Sequence, residues 1–86
     1  MIARKTKRYW VYILESLKDH RTYVGYTKDL EVRLTKHNSG QVKSTKHRRP
    51  LIILYKEMFQ TKGEAKEKEL WWKSRGGRQE LKKLFY

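Results

Sequence analysis

Five side chains have types and spacings that could act on a phosphate: Tyr12, Tyr23, Arg33, His37 and Glu69. Arg33 and His37 stand at i and i+4 on a stretch that reads as a helix, so they share a face. A guanidinium there can hold a phosphate in a forked contact, and the imidazole can pass a proton or take a second oxygen. Glu69 lies on the same helical stripe as Ala65 and Trp72, at i, i+4 and i+7, a stripe that otherwise turns inward. A carboxylate in that position needs an Arg, a Lys or a metal ion as partner. Tyr12 and Tyr23 sit in two stretches with strand patterning. If Glu15 pairs with Thr22 across the intervening turn, Tyr12 falls opposite Gly25 and both phenols point to one side of the sheet, whereas a slip of one residue separates them. The set contains a hard oxygen ligand for Mg²⁺, a guanidinium for charge and groups able to move protons. Those are most of the parts needed to hydrolyse a phosphodiester. Each also has a plainer reading, as a half-buried strand aromatic, a solvated helix face or a chance carboxylate, and sequence order alone does not make them converge.

The elements that must position these groups follow from local pattern. Tyr9–Leu14 is aromatic and β-branched and reads as a strand, Ser16–Arg21 as a polar turn, and Thr22–Thr27 as the returning strand of a hairpin. Gly25 inside that strand marks a close approach of backbone or ligand. Thr27 or Asp29 caps a helix whose buried side carries Leu30 and Leu34, and Asn38-Ser39-Gly40 stops it, with Gly40 suited to a left-handed cap. Gln41–Pro50 has no apolar periodicity and reads as a basic loop. Leu51–Tyr55, extending to Phe59, is a third strand with Pro50 at its permitted start. Thr61 and Glu64 fit a capping box for a second helix running to about Ser74. Gly76-Gly77 is expected to break it, and Arg78–Tyr86 to form a short closing helix. The expectation is an α+β domain in the order ββαβαα, a small three-stranded antiparallel sheet flanked by helices, over residues 9–86. Residues 1–8 read as a mobile basic arm.

Composition bounds what such a domain can do. With 86 residues, it buries only roughly 60% of its unfolded surface and cannot enclose a large cofactor. The absence of cysteine removes disulfide scaffolds, thiol catalysis and thiolate metal sites. No apolar run approaches the ~18 residues needed to span a bilayer, and no signal core follows the basic N-terminus, so a cytoplasmic location is expected. Lys and Arg number 22 against nine Asp and Glu, a net charge of +13 that points to a polyanion as partner. Charge alone does not separate holding a phosphate backbone from cutting it.

The chain resembles the GIY-YIG nuclease family. The paired motifs are carried by Val11-Tyr12-Ile13 and Tyr23-Val24-Gly25, followed by Arg33, by His37 one turn later, and by Ala65, Glu69 and Lys73 on the late helix. His37-Asn38-Ser39-Gly40, Thr45 and Arg49-Pro50 are similar to small stand-alone bacterial members of the YhbQ type, which in turn resemble the N-terminal nuclease domain of the excinuclease. Val11 stands where the first motif usually has Gly. The resemblance implies hydrolysis of DNA to 5′-phosphate and 3′-hydroxyl ends. It implies a tyrosine, Tyr12 or Tyr23, that helps deprotonate water, with Arg33 on the scissile phosphate and His37 in proton transfer or water positioning. It also implies Glu69 holding one divalent ion, Mg²⁺ or Mn²⁺. A phenol has a pKa near ~10, and the surrounding cations are expected to favour the phenolate. Some members use a downstream Asn near the site, and the sole Asn here is Asn38.

Arg4, Lys5, Lys7 and Arg8, the loop cations Lys43, Lys46, Arg48 and Arg49, and Lys73 with the cations as far as Lys83 are expected to grip phosphates without sequence preference. Nothing further in the chain reads as a targeting domain, so specificity would come from DNA structure or a protein partner, in repair or recombination. The competing readings are a non-catalytic nucleic-acid-binding module on the same fold and a basic structural protein bound to RNA or to a protein. Retention of all five candidate site residues favours the enzyme.

Overall fold

Side chains alternate along a strand, so the apolar run Tyr9–Leu14 can bury both sets only if both faces of its sheet are covered. In the computed structural model, which describes residues 8–85, they are. Strand β1 (Tyr9–Ser16) lies between β2 (Thr22–Thr27) and β3 (Leu51–Phe59), and both pairings are antiparallel. Val11 and Ile13 point to one face and pack with Ala65 and Trp72 of α2 (Lys62–Lys73) and Leu81 of α3 (Arg75–Phe85). Tyr12 and Leu14 point to the other and pack with Leu51 and with Leu30 of α1 (Leu30–Asn38). Three layers result, in the expected ββαβαα order. The residues read as an N-terminal arm lie outside the described residues, apart from Arg8.

The β1–β2 register is the one that the Glu15–Thr22 turn implies, with Tyr12 opposite Gly25 and Leu14 opposite Tyr23. On the other side, the pairing with β3 shifts between Ile13 and Leu14, a bulge that bends the sheet. Asp29 caps α1 by accepting a hydrogen bond from the Val32 N–H at 3.1 Å, and Gly40 (φ +83°) takes the left-handed position after its end. The Asn38 side chain makes a two-way bond with the backbone of Leu51, donating to its carbonyl at 2.9 Å and accepting from its N–H at 2.8 Å. That clamp ties the end of α1 to the start of β3 and leaves Asn38 in a structural role.

The basic loop is more ordered than its composition suggests. It holds a 3₁₀ turn at Lys46–Arg48 and a fully buried Thr45. Buried Ser16 donates to the Arg48 carbonyl at 2.6 Å and accepts from the Lys18 and Asp19 amides, which docks the loop on the hairpin turn.

Helix α2 starts as its capping box implies: Thr61 accepts from the Glu64 N–H at 3.2 Å and donates to the Glu64 carboxylate at 2.8 Å. Its end corrects the sequence expectation. The break falls at Ser74 (ψ 169°), and Gly76 and Gly77 lie inside the first turn of α3. The Ser74 hydroxyl accepts from the Gly77 N–H and its carbonyl from the Arg78 N–H, so one serine ends α2 and caps α3. Gly77 is needed for a different reason: a Cβ there would run into the Trp71 carbonyl and the Trp72 Cα, so the α2–α3 corner closes only over glycine. Among the described residues no helix is long and apolar enough to cross a membrane.

Candidate active site

Tyr12 is on the central strand, and its ring crosses the backbone of β2 at Gly25. A Cβ on Gly25 would stand 2.5 Å from the Tyr12 hydroxyl and 2.7 Å from Cζ, so the glycine is the opening through which the phenol reaches α1. There the hydroxyl meets both residues of the helical pair. Arg33 Nε donates to it at 3.3 Å, and His37 Nε2 lies 3.1 Å away. Tyr23 completes the cluster, its ring tilted against Tyr12 at 6.4 Å between centroids and edge-on to His37 at 4.9 Å. The other imidazole nitrogen, Nδ1, lies 2.8 Å from the Thr45 hydroxyl. Tyr12, His37 and Thr45 are all buried, whereas Arg33 and Tyr23 are part-exposed and give the cluster its outward side.

Burial sets the protonation states. It raises the Tyr12 pKa above that of a free phenol, against the hydrogen bond from Arg33, and the neighbouring Tyr23 phenol and Glu69 carboxylate push the same way as burial. In the free protein, desolvation thus outweighs the neighbouring guanidinium at Tyr12. Burial and then the Arg33 charge push His37 down to about 4, so the imidazole is neutral at pH 7. Arg33 is held cationic, its hydrogen bond to Tyr12 outweighing the cost of partial burial.

This gives a pH dependence of known sign. Below the ordinary histidine range the unfolded chain binds a proton that folded His37 refuses until about pH 4, so stability falls as pH drops through that window. The expected loss is about 3 kcal/mol between pH 7 and pH 4. Urea titrations of the wild type and of His37→Gln test it, because the variant should lack this part of the acid sensitivity. Equal slopes of stability against pH in the two proteins would contradict the assignment.

Glu69 approaches from α2, which packs against β1 and β2. Its side chain is only 13% exposed, its cationic partner is Lys73 at 3.6 Å, and its charge reaches the Tyr12 hydroxyl. The structure thus brings four predicted residues into contact and sets the fifth within electrostatic range. Among the described residues no three acidic or histidine side chains gather to cage a metal. The single carboxylate fits a different arrangement, that of Mg²⁺ held by one protein oxygen and completed by water and substrate phosphate.

The loop cations divide. Lys43 and Lys46 are exposed. Arg49 donates from Nε to the Lys46 carbonyl at 2.8 Å and packs over Gly40. Arg48 is turned inward, 3.4 Å from the Asp19 carboxylate and 3.4 Å from the Thr22 carbonyl it donates to, so it serves the fold. Thr45 had no role on sequence grounds. It entered only as one position of the resemblance, and its contact appears when the loop folds back over His37.

Comparison with known proteins agrees with this fold. The model of the GIY-YIG catalytic domain matches residues 8–83. A UPF0213 protein of Staphylococcus saprophyticus is 49% identical over 63 residues, covering 72% of this chain and 76% of that one. Another, from Staphylococcus haemolyticus, is 41% identical over 78 residues, covering 90% and 94%. The solution NMR structure of a UPF0213 protein from Bacillus halodurans superposes with a TM-score of 0.55 at 38% identity, covering 91% of this chain and 85% of that one.

Proposed function

The chain belongs to the family of GIY-YIG catalytic domains, and from that premise we propose that it is a metal-dependent DNA endonuclease or nickase. The observation that carries the reading is the Tyr12 hydroxyl, which sits between a fixed cation, Arg33, and a neutral imidazole, His37. Water attacks phosphorus as its proton passes to Tyr12 Oη, and the phenolic proton passes on to His37 Nε2. The P–O3′ bond breaks, leaving a 5′-phosphate and a 3′-oxygen that takes a proton from solvent. Arg33 keeps its Nη groups for the phosphate oxygens while Nε holds Tyr12. Tyr23 packs His37 and Tyr12 into place. A divalent ion, Mg²⁺ or Mn²⁺, held by Glu69 would neutralise phosphate charge and stabilise the leaving oxygen.

This route does not need a standing phenolate. A buried neutral tyrosine can relay a proton to an imidazole already within hydrogen-bond distance, so the raised Tyr12 pKa is compatible with chemistry. Lys43, Lys46, Arg49 and Lys73 hold backbone phosphates on either side, with affinity falling steeply as salt rises. Substrate choice then rests on DNA structure or a protein partner, as in repair or recombination, within the cytoplasm.

The test is cutting of supercoiled plasmid and of flapped or branched DNA with Mg²⁺ or Mn²⁺, against the same reactions in chelator. Metal-dependent nicks ending in 5′-phosphate support the proposal. Tight binding without cutting under either metal would instead identify a nucleic-acid-binding module on this fold.

A further inference from the structure

We propose that Thr45 is a positioning residue that fixes His37 in the tautomer with its proton on Nδ1, leaving Nε2 free to accept from Tyr12. The tautomer assignment stands on hydrogen-bond geometry and burial, while its catalytic meaning rests on the nuclease reading above.

A neutral imidazole has one N–H and one lone pair, and the partners decide which nitrogen carries which. Two arrangements fit the heavy atoms. In the first, Nδ1–H donates to Thr45 Oγ1 at 2.8 Å and the Tyr12 hydroxyl donates to Nε2 at 3.1 Å, while accepting from Arg33 Nε at 3.3 Å. The Thr45 hydroxyl proton then turns to the Val42 carbonyl at 3.5 Å, a long contact to an oxygen that also accepts from the Thr45 and Lys46 N–H groups. Every donor in the buried cluster has an acceptor. In the second, Thr45 donates to Nδ1, and Nε2–H donates to Tyr12. The phenolic proton is then stranded in the DNA-free protein, because among the described residues the buried Tyr12 hydroxyl meets no hydrogen-bond acceptor other than Nε2. Leaving a buried donor unpaired is the costly option. The second arrangement would suit a phenolate, but burial holds Tyr12 protonated.

Thr45 is well placed for the task because its backbone is fixed from both sides. Its N–H donates to the Val42 carbonyl at 3.1 Å, and its carbonyl accepts from the Arg48 N–H at 2.9 Å. The loop read from sequence as a phosphate grip therefore also orients the histidine. With the proton on Nδ1, Nε2 can take the phenolic proton as Tyr12 receives one from water. The imidazolium so formed keeps its Nδ1–H on Thr45. With the reverse tautomer that transfer has no acceptor.

The test compares the wild type with Thr45→Val, which keeps shape and removes the acceptor, and Thr45→Ser, which keeps the hydroxyl. Ring ¹⁵N shifts of His37 at neutral pH report the tautomer without any DNA or metal. The wild type and Thr45→Ser are expected to carry the proton on Nδ1, and Thr45→Val to lose that preference. Single-turnover cutting by Thr45→Val should fall by about 10²-fold or more, since a mis-set tautomer costs a triad hydrolase about 10⁴, with Thr45→Ser close to wild type. A proton on Nε2 in the wild type overturns the proposal, as does Thr45→Val with unchanged tautomer and rate. If Thr45→Val does not fold, the shifts of the wild type and Thr45→Ser still decide the tautomer. If no protein cuts, the shifts decide the tautomer while the failure falls on the nuclease reading.

Discussion

Gly25→Ala is expected to lower cutting by about 10²-fold or more while leaving DNA affinity within a few-fold of wild type. The new Cβ would lie 2.5 Å from the Tyr12 hydroxyl, 2.7 Å from Cζ and 3.2 Å from Cε1, and atoms at that range must separate by roughly an ångström. The β2 backbone is fixed by its ladder to β1, so the phenol is what moves. Its hydroxyl then leaves both Arg33 and His37, and a displacement of that size at a reacting group costs about 10² in rate. Overpacking should also lower stability by about 1–3 kcal/mol. Single-turnover cutting and urea denaturation on the same preparation separate the two effects. A Gly25→Ala protein that cuts at the wild-type rate would show that the Tyr12 hydroxyl takes no part in the chemistry.

Arg33→Lys should be at least as damaging although it preserves charge. In the proposed reaction the guanidinium gives Nε to Tyr12 and turns its outer nitrogens to phosphate, and a lysine ammonium cannot span both. Loss of one preorganised donor to a developing charge costs about 10²–10³ in rate. Bulk DNA binding should hardly change, because one cation replaces another in a chain of net charge +13. Cutting by Arg33→Lys within a few-fold of wild type would remove Arg33 from the reaction and leave it as part of the general phosphate grip.

The hairpin was legible because strand period and turn length allow few registers. Once Glu15 faces Thr22, Tyr12 must face Gly25, and a glycine inside an aromatic strand signals a close approach. Glu69 was legible as a carboxylate on a stripe with Ala65 and Trp72, and its low exposure agrees. The complete burial of His37 was not. In so charged a chain an Arg–His pair at i and i+4 looks like a wet helix face, and the group that covers His37 is Thr45, from a loop without periodicity. The desolvation of Tyr12 was hidden in the same way, because charge can be read along a chain whereas desolvation depends on what folds over the residue. Gly76-Gly77 looked like a helix break by composition. The need at Gly77 is a nonlocal one, contact with the end of α2, and the break fell to Ser74. Arg48 counted as a phosphate ligand until Asp19, on a turn distant in sequence, took up its charge.

Glu69 tests the central claim most directly, because among the candidate residues it is the one that a basic DNA-binding surface has no use for. The decisive measurement is Mg²⁺-dependent single-turnover cutting by wild type and Glu69→Gln, with DNA affinity recorded in parallel. Glu69→Gln is expected to bind DNA at least as tightly, having lost a negative charge, and to cut slower by about 10³-fold or more. Cutting by Glu69→Gln at close to the wild-type rate would contradict the claim.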